Sequence, residues 1–298
     1  MDFLITGATG FVGHRLVPRL LDGGNEVSYL ARKRGKTLDT RAAFHPWTSP
    51  EPPPLDSVPT AEVVIHLAGE PVAQRWNSEV KRCIYDSRVN GTRQLVSAIE
   101  KLKHKPRVLI SASATGYYGQ RGDEILTETS PPGHDFLADL CVEWEREALK
   151  AREFGTRVVL IRIAPVIGRG GGMLAKTLPA FRLGLGGNIG SGRQWMPWVH
   201  VDDLMSLILY AAVHEPMNGP YNASAPTPVT NAEFTRELSA VVHRPAIFSV
   251  PLLALKLGLG EAAHYMAQSQ RIIPEKTLES GFQFRYPDLT SALNEAAK

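Results

Sequence analysis

The chain has 298 residues, 43% of them hydrophobic and 21% charged, and its formal net charge is +3. This is ordinary globular composition, enough for one large domain or a domain with a smaller lobe, and the mild basicity does not imply a nucleic-acid partner. The two cysteines, Cys83 and Cys141, form neither a disulfide framework nor a zinc-ligand pattern. No apolar run approaches the ~18 residues of a membrane span, and Met1 leads into a glycine loop rather than a secretory leader, so a cytoplasmic protein with no metal site and no membrane segment is expected.

Asp2–Thr6 is a short apolar run ending in turn residues and reads as a strand. Phe11, Val12, Leu16, Leu20 and Leu21 recur at helical spacing, and Gly23-Gly24 ends that helix. Glu26–Ala31 is a second strand, and Pro50, Pro52, Pro53, Pro54 and Pro59 mark an irregular surface stretch. Glu62–Leu67 follows as a strand, Asn77–Leu102 as one long helix, Arg107–Ser111 as a strand, Asp135–Phe154 as a helix and Thr156–Ile163 as a strand. This alternation predicts an α/β, Rossmann-type doubly wound parallel sheet covered on both faces, with any ligand along the edge where the strands end. After Pro165 the chain is dense in glycine as far as Gly192. Helices are expected at Asp202–His214, at Asn231–Val242 (with a Thr230/Glu233 capping box) and near Leu252–Met266. A short extended piece, Gly281–Tyr286, precedes a last helix from Asp288. Residues 1–170 therefore read as the dinucleotide domain, with part of 195–225 returning to its sheet, and 171–298 mostly as a smaller mixed substrate lobe.

The segment Thr6-Gly7-Ala8-Thr9-Gly10-Phe11-Val12-Gly13 stands between a strand and a helix, the context a dinucleotide loop requires. Gly7 suits the tight turn, Gly10 the approach of backbone amides to a pyrophosphate, and Gly13 close helix–strand packing, while the helix N-terminus offers free N–H groups. The end of the second strand discriminates between cofactors. An NAD site places a carboxylate there for the ribose hydroxyls, but this chain has Ala31-Arg32-Lys33-Arg34, a basic cluster suited to a 2′-phosphate. The expected cofactor is NADP(H), with Arg32 as the leading contact.

These residues resemble the extended short-chain dehydrogenase/reductases. His66-Leu67-Ala68-Gly69 resembles that family's sheet-edge turn, Ser111 to Gly119 its serine-bearing strand end, and Trp198-Val199-His200-Val201-Asp202-Asp203 the segment that opens a helix of the substrate lobe. A narrower resemblance runs along nearly the whole chain, through Leu67-Ala68-Gly69-Glu70-Pro71, Ser87-Arg88, Gly168-Arg169-Gly170-Gly171-Gly172 and Asn222-Ala223-Ser224-Ala225-Pro226. It points to the atypical "epimerase family" subgroup, which bears a C-terminal domain of unknown function, here at about 248–297. The resemblance implies that Ala31 and Arg32 flank the adenosine ribose and that Leu67 and Ala68 line the adenosine side. It further implies that Arg88 reaches the cofactor from the long helix and that Ser111 and Val166 sit near the nicotinamide half.

One expected feature is missing. Ordinary members carry Tyr-x-x-x-Lys on the helix after the serine strand, where i and i+4 share a face and the phenol passes the proton that accompanies hydride transfer. Here Leu137 and Cys141 stand in those places, counted back from Glu145. The string Tyr29 to Lys33 has the right spacing but lies on a strand end, and Lys33 belongs with the basic cluster. Ser113 and Tyr117 are the catalytic candidates, with Tyr118, Glu70, Asp139 and Cys141 behind them. Two functions remain open: an NADP-dependent oxidoreductase or epimerase on a small carbonyl or sugar-like substrate, or a non-catalytic NADP(H)-binding regulator, as monomer or homodimer. Arg169 to Gly172 offers amides for an anion, Arg182, Arg193, Gln194 and Trp195 could wall a substrate pocket, and His200 reads as a structural partner of Asp202 or Asp203.

Overall fold

The computed structural model describes residues 1–55 and 61–298, and Pro59 lies outside the described residues. Strands β1 (Asp2–Thr6), β2 (Glu26–Ala31), β3 (Ala43–Pro46), β4 (Val63–His66) and β5 (Val108–Ala114) join Arg157–Ile163 and Gly219–Ala223 in a seven-stranded sheet. From one edge its order is Gly219–Ala223, Arg157–Ile163, β5, β4, β1, β2, β3, and every pairing is parallel. The chain moves outward from β1 through β2 to β3, then returns to β4 on the other side of β1. The β1/β4 boundary is thus the topological switch point, where parallel sheets open a crevice. Register aligns the exits: Thr6 pairs with Leu30 and His66, His66 with Ser111, and Ser111 with Leu160.

Both faces of the sheet are covered, which is why its strands are continuously apolar. Ile5, Ile65, Ile110 and Val159 point to the face that packs with Leu16 and Leu20 of α1 (Gly13–Asp22) and with the helix Val201–Val213. The alternate residues Leu4, Val64, Leu109 and Val158 point the other way. They meet Leu95 and Ile99 on the far segment of the long helix and Ala148 on the helix after β5.

The long helix is interrupted. It consists of α2 (Ser78–Tyr85), a π-helical turn Asp86–Asn90 and α3 (Gly91–Lys101). The wide turn falls at Ser87 and Arg88, and such bulges re-aim side chains toward a site. Helix α4 (Phe136–Leu149) continues into a 3-10 turn as far as Phe154. The edge strand β3 went unread because it is short, partly exposed and closed by Pro46. Residues 252–266 form two helices, Leu252–Leu259 and Ala262–Met266, broken at Gly260 with φ 62°. Gly281–Tyr286 forms no strand. Instead the backbone N–H groups of Arg285 and Tyr286 donate to the Asp203 carboxylate at 2.7 and 3.0 Å. A second core, built from Trp198, Phe234, Leu238, Leu289 and Leu293, holds the helices Asn231–Val241 and Leu289–Ala296, the former with its capping box formed.

Candidate functional site

The glycine loop is shaped by contacts that only glycine permits. Gly7 has φ +76°, and a Cβ there would stand 2.6 Å from the Leu67 carbonyl carbon. A Cβ on Gly13 would stand 2.4 Å from the Gly7 carbonyl oxygen. The loop therefore lies flat against the β4 exit and against the first turn of α1. That turn has no side-chain cap, and among the described residues the amides of Phe11, Val12 and Gly13 donate to no acceptor of the chain. Three uncommitted amides at a helix start have the geometry that suits an anionic group. Thr9 lies beside Gly35 of the next loop, its methyl 3.2 Å from where a Gly35 Cβ would fall.

Ala31 is half-buried at the β2 exit, and Arg32, Lys33 and Arg34 are exposed beyond it. Among the described residues none of these three has a carboxylate partner, whereas Arg41 is held by Asp22 and Asp39. A cleft of ≈ 220 Å³ opens here, lined by Tyr29, Arg34, Gly35, Lys36, Leu38 and Asp39. A rim whose cations lack partners fits a phosphate on the adenosine ribose.

At the β4 exit a buried polar chain ties three elements together. The Thr6 hydroxyl accepts from Ala68 N–H at 3.2 Å and lies 2.6 Å from His66 Nδ1, while His66 Nε2 lies 2.9 Å from Thr92 Oγ1. Burial pushes the imidazole down to about 4, so it is neutral at pH 7. The neutral ring carries one proton, so one of its nitrogens donates to a threonine hydroxyl and the other accepts from one. Gly69 follows, faced by the Arg88 guanidinium, 3.0 Å from a Gly69 Cβ. Arg88 donates to the Glu70 carbonyl at 2.9 Å and lies 5.3 Å from the Trp144 ring centroid. Among the described residues it has no carboxylate partner, and burial pushes its pKa down. A desolvated guanidinium bound only to backbone carbonyls is suited to an anion or a ribose hydroxyl. The π-helical turn brings it to the switch point.

The β5 exit differs from what the serine motif suggested. Ser113 is buried and its hydroxyl donates to Glu145 Oε1 at 2.6 Å. Glu145 is gripped by Arg162 through Nε at 2.8 Å and Nη2 at 2.9 Å. Leu137 lies eight residues before Glu145, so Ser113 is drawn ~12 Å along α4 from the first motif position, with its proton already committed. The β5 exit meets Leu137 and Cys141 through other residues: a Gly116 Cβ would lie 3.2 Å from Leu137 Cβ, and the Cys141 thiol points at the Ala114 carbonyl, 3.7 Å away. Burial pushes Cys141 up to about 12, which removes it as a nucleophile at neutral pH. Tyr118 is also buried, donates to Asn222 Oδ1 at 2.7 Å and is pushed up to about 12 by burial. Tyr117 is half-buried over Arg162, whose Cζ is 3.4 Å from its ring centroid. Ser111 is fully buried, its hydroxyl 3.2 Å from the Ala112 carbonyl. Asp139 is exposed.

Val166 opens a short strand beside Val199, and its carbonyl accepts from Met173 N–H at 2.8 Å. The Gly168–Gly172 hairpin packs on the glycine loop. It closes on Phe11: a Cβ on Gly171 would fall 1.9 Å from Phe11 Cδ2, and Arg15 lies 4.2 Å over the ring while donating to the Arg169 carbonyl at 2.6 Å. Farther out, Arg193 and Gln194 line a cleft of ≈ 320 Å³ together with Gln120, Asp123, Ser191 and Ser269. Trp195 Nε1 donates to Asp123 at 2.8 Å at its border, whereas Arg182 turns away to the Ala297 carbonyl. His200 accepts from Asp202 N–H and meets Glu295 Oε2 at 2.9 Å, a structural clasp on the last helix.

A parallel sheet with a glycine loop after β1, a basic rim after β2 and a serine-bearing strand facing α4 defines a Rossmann-type protein of the short-chain dehydrogenase/reductase class. The chain belongs to the NAD dependent epimerase/dehydratase family, whose model matches residues 3–224, and a model of a domain of unknown function, DUF1731, matches 250–296. It is similar to the chloroplastic epimerase family protein SDR39U1 homolog of Arabidopsis thaliana, at 40% identity over 98% of this chain and 86% of the relative. It is similar to epimerase family protein YfhF of Bacillus subtilis at 36% identity, over 99% of this chain and 97% of the relative. Human epimerase family protein SDR39U1 (isoform 2), crystallised with NADPH, superposes with a TM-score of 0.89 at 33% identity, covering 100% of this chain and 99% of that one. The resemblance drawn from the motifs is thereby borne out. Among the described residues no helix is long and apolar enough to cross a membrane.

Proposed function

We propose that the chain binds NADP(H) and acts as an oxidoreductase or epimerase on a small carbonyl or sugar-like molecule. The observation that carries this reading is the joining of an open glycine cradle to a basic rim whose Arg32, Lys33 and Arg34 have no carboxylate partner among the described residues. Gly7, Thr9, Gly10, Phe11, Val12 and Gly13 would hold the pyrophosphate. Ala31, Arg32 and Lys33 would hold the adenosine ribose with its 2′-phosphate, and Leu67, Ala68 and Gly69 would flank the adenosine. Arg88, Ser111 and Val166 would face the nicotinamide half. When bound, the reduced nicotinamide supplies hydride. Residues 1–170 with a strand from 195–225 would form the cofactor domain, and 171–298 mostly the substrate lobe. The NADPH crystallised with the human relative supports the choice of phosphate form.

Titration with NADPH and NADH tests the reading. NADPH is expected to bind more tightly, and Arg32→Ala to weaken it by about 10- to 100-fold, the worth of a charge-assisted hydrogen bond, with NADH unaffected. Equal affinities that ignore Arg32→Ala would overturn it. A second reading, a non-catalytic regulator that reports NADP(H) occupancy, is favoured by Leu137 and Cys141, which leave the two motif positions of α4 without a phenol or an ammonium. Substrate-dependent NADPH oxidation across a panel of carbonyl compounds would remove that alternative.

A further inference from the structure

The α4 positions of the usual pair hold Leu137 and the inert Cys141 thiol, and the turn that packs on them carries a phenol one residue past Gly116. We propose that Tyr117 is the proton donor of the reaction and that Arg162, locked by Glu145, is its positioning residue. The phenol–cation pair has moved from the helix to the turn after β5 and the neighbouring strand. This rests on the NADP(H)-dependent reading above.

Tyr117 lies in the 3-10 turn Thr115–Tyr118 that closes β5. The preceding Gly116 packs against Leu137 and toward Cys141, with a Cβ there 3.2 Å from Leu137 Cβ and 3.9 Å from Cys141 Sγ. The turn thus starts where the helical pair is missing. Tyr118 points inward and is committed to Asn222, whereas the hydroxyl of half-buried Tyr117 makes no hydrogen bond among the described residues. The Tyr117 ring packs on the small cluster of Tyr118, Leu126 and Ile272 at the end of the β5 turn, and a phenolic proton that no neighbour has taken is what a donor requires.

Arg162 lies on the strand next to β5, with Ser113 as its register partner. It makes four hydrogen bonds: Nε and Nη2 to Glu145, and Nη1 to Tyr118 Oη at 3.1 Å and the Glu128 carbonyl at 3.3 Å. That grip leaves the guanidinium no freedom, and it presses on the Tyr117 ring at 3.4 Å. A cation fixed against a phenol face holds the ring plane. It also stabilises the negative charge that grows on the oxygen as the proton leaves, most strongly where water is scarce. In reduction, the carbonyl carbon gains hydride from the reduced nicotinamide and the C=O π pair moves to oxygen. That oxygen then takes the Tyr117 Oη proton, and solvent returns a proton to the phenolate. Oxidation is the reverse.

The test treats the full chain with an aryl sulfonyl fluoride, which sulfonylates a nucleophilic phenol with loss of fluoride, and maps the label by peptide mass spectrometry. Tyr117 is expected to label at least ~10-fold faster than the half-buried Tyr85, Tyr210 and Tyr265. Arg162→Met should abolish that preference and Arg162→Lys rescue it, which lost packing alone would not produce. Tyr117→Phe should keep NADPH affinity and lower kcat at least ~100-fold on any carbonyl the panel yields. If Arg162→Met does not fold, Tyr117→Phe and the labelling of the parent chain decide. Labelling of Tyr117 no faster than Tyr265, or undiminished kcat in Tyr117→Phe, overturns the proposal and leaves NADP(H) binding standing. A chain that binds NADPH but oxidises it with no carbonyl overturns the catalytic reading and this proposal with it.

Discussion

Gly171→Ala should weaken NADPH binding although residue 171 lies 158 positions beyond the end of the glycine loop at Gly13. The added Cβ would fall 1.9 Å from Phe11 Cδ2 and 2.1 Å from Cε2, where carbon atoms prefer about 3.5–4.0 Å. Something must therefore move by roughly 1.5 Å or more. The ring has little room, because Gly168 and Gly172 border it as well and Arg15 lies 4.2 Å over its centroid. The hairpin is also held, by pairing of Val166 and Ile167 with Val199 and His200 and by the Arg15 bond to the Arg169 carbonyl. The strain passes to the Phe11 backbone, whose amide is one of those proposed to hold the pyrophosphate. Overpacking of this kind costs about 1–3 kcal/mol, which corresponds to about 5- to 150-fold in affinity if the loop bears all of it. Phe11→Leu should relieve the clash, so the double variant should bind better than the sum of the single effects predicts, by about 0.5–3 kcal/mol of coupling. NADPH titrations of the four proteins, with urea unfolding in parallel, measure both quantities. A Gly171→Ala chain that binds and unfolds like the parent, or strictly additive effects, would refute the reasoning.

Three further outcomes follow from buried charge. His66 titrates near 4 in the folded chain against 6.5 unfolded, so below pH 6.5 the unfolded chain takes a proton that the folded chain refuses. Stability should drop by about 3 kcal/mol between these limits and level off beneath them, and His66→Gln should unfold with a shallower dependence over that window. An identical slope in urea melts would exclude His66 as the cause. Glu145→Gln leaves the Arg162 charge, only 3% exposed, without its counter-ion and should cost about 3–5 kcal/mol, whereas a loss below ~1 kcal/mol would mean water reaches the pair. An alkylating thiol reagent should modify exposed Cys83 rapidly and buried Cys141 only on unfolding, and two fast thiols would contradict the packing of α4.

Features set by a few neighbouring residues were legible in advance. The three glycines follow a strand and open a helix, and φ +76° at Gly7 is the backbone demand that such spacing anticipates. Strand and helix order followed from periodicity, and the basic residues after β2 were visible as a missing carboxylate. The vacancy at Leu137 and Cys141 was equally plain, since a motif one helical turn long is either present or absent. Element ends were less secure. The π-helical turn at Asp86–Asn90 leaves the apolar periodicity of the long helix intact, so nothing local announces it.

What the sequence by itself determined was the class of fold and a basic exit from β2 that carries no carboxylate, because backbone conformation, helix period and local charge act over a few residues. Only the tertiary structure decided what the candidate side chains touch. Ser113 is a catalytic candidate by its motif, and the structure commits its proton to Glu145, 32 residues on. The segment Arg169 to Gly172 read as a source of amides for an anion, and its packing on Phe11 was not visible in it. Arg162 carried no signal at all until strand register set it beneath Tyr117. Such pairings depend on register and on which face each residue takes, and those are settled when the sheet assembles rather than by any stretch of chain alone.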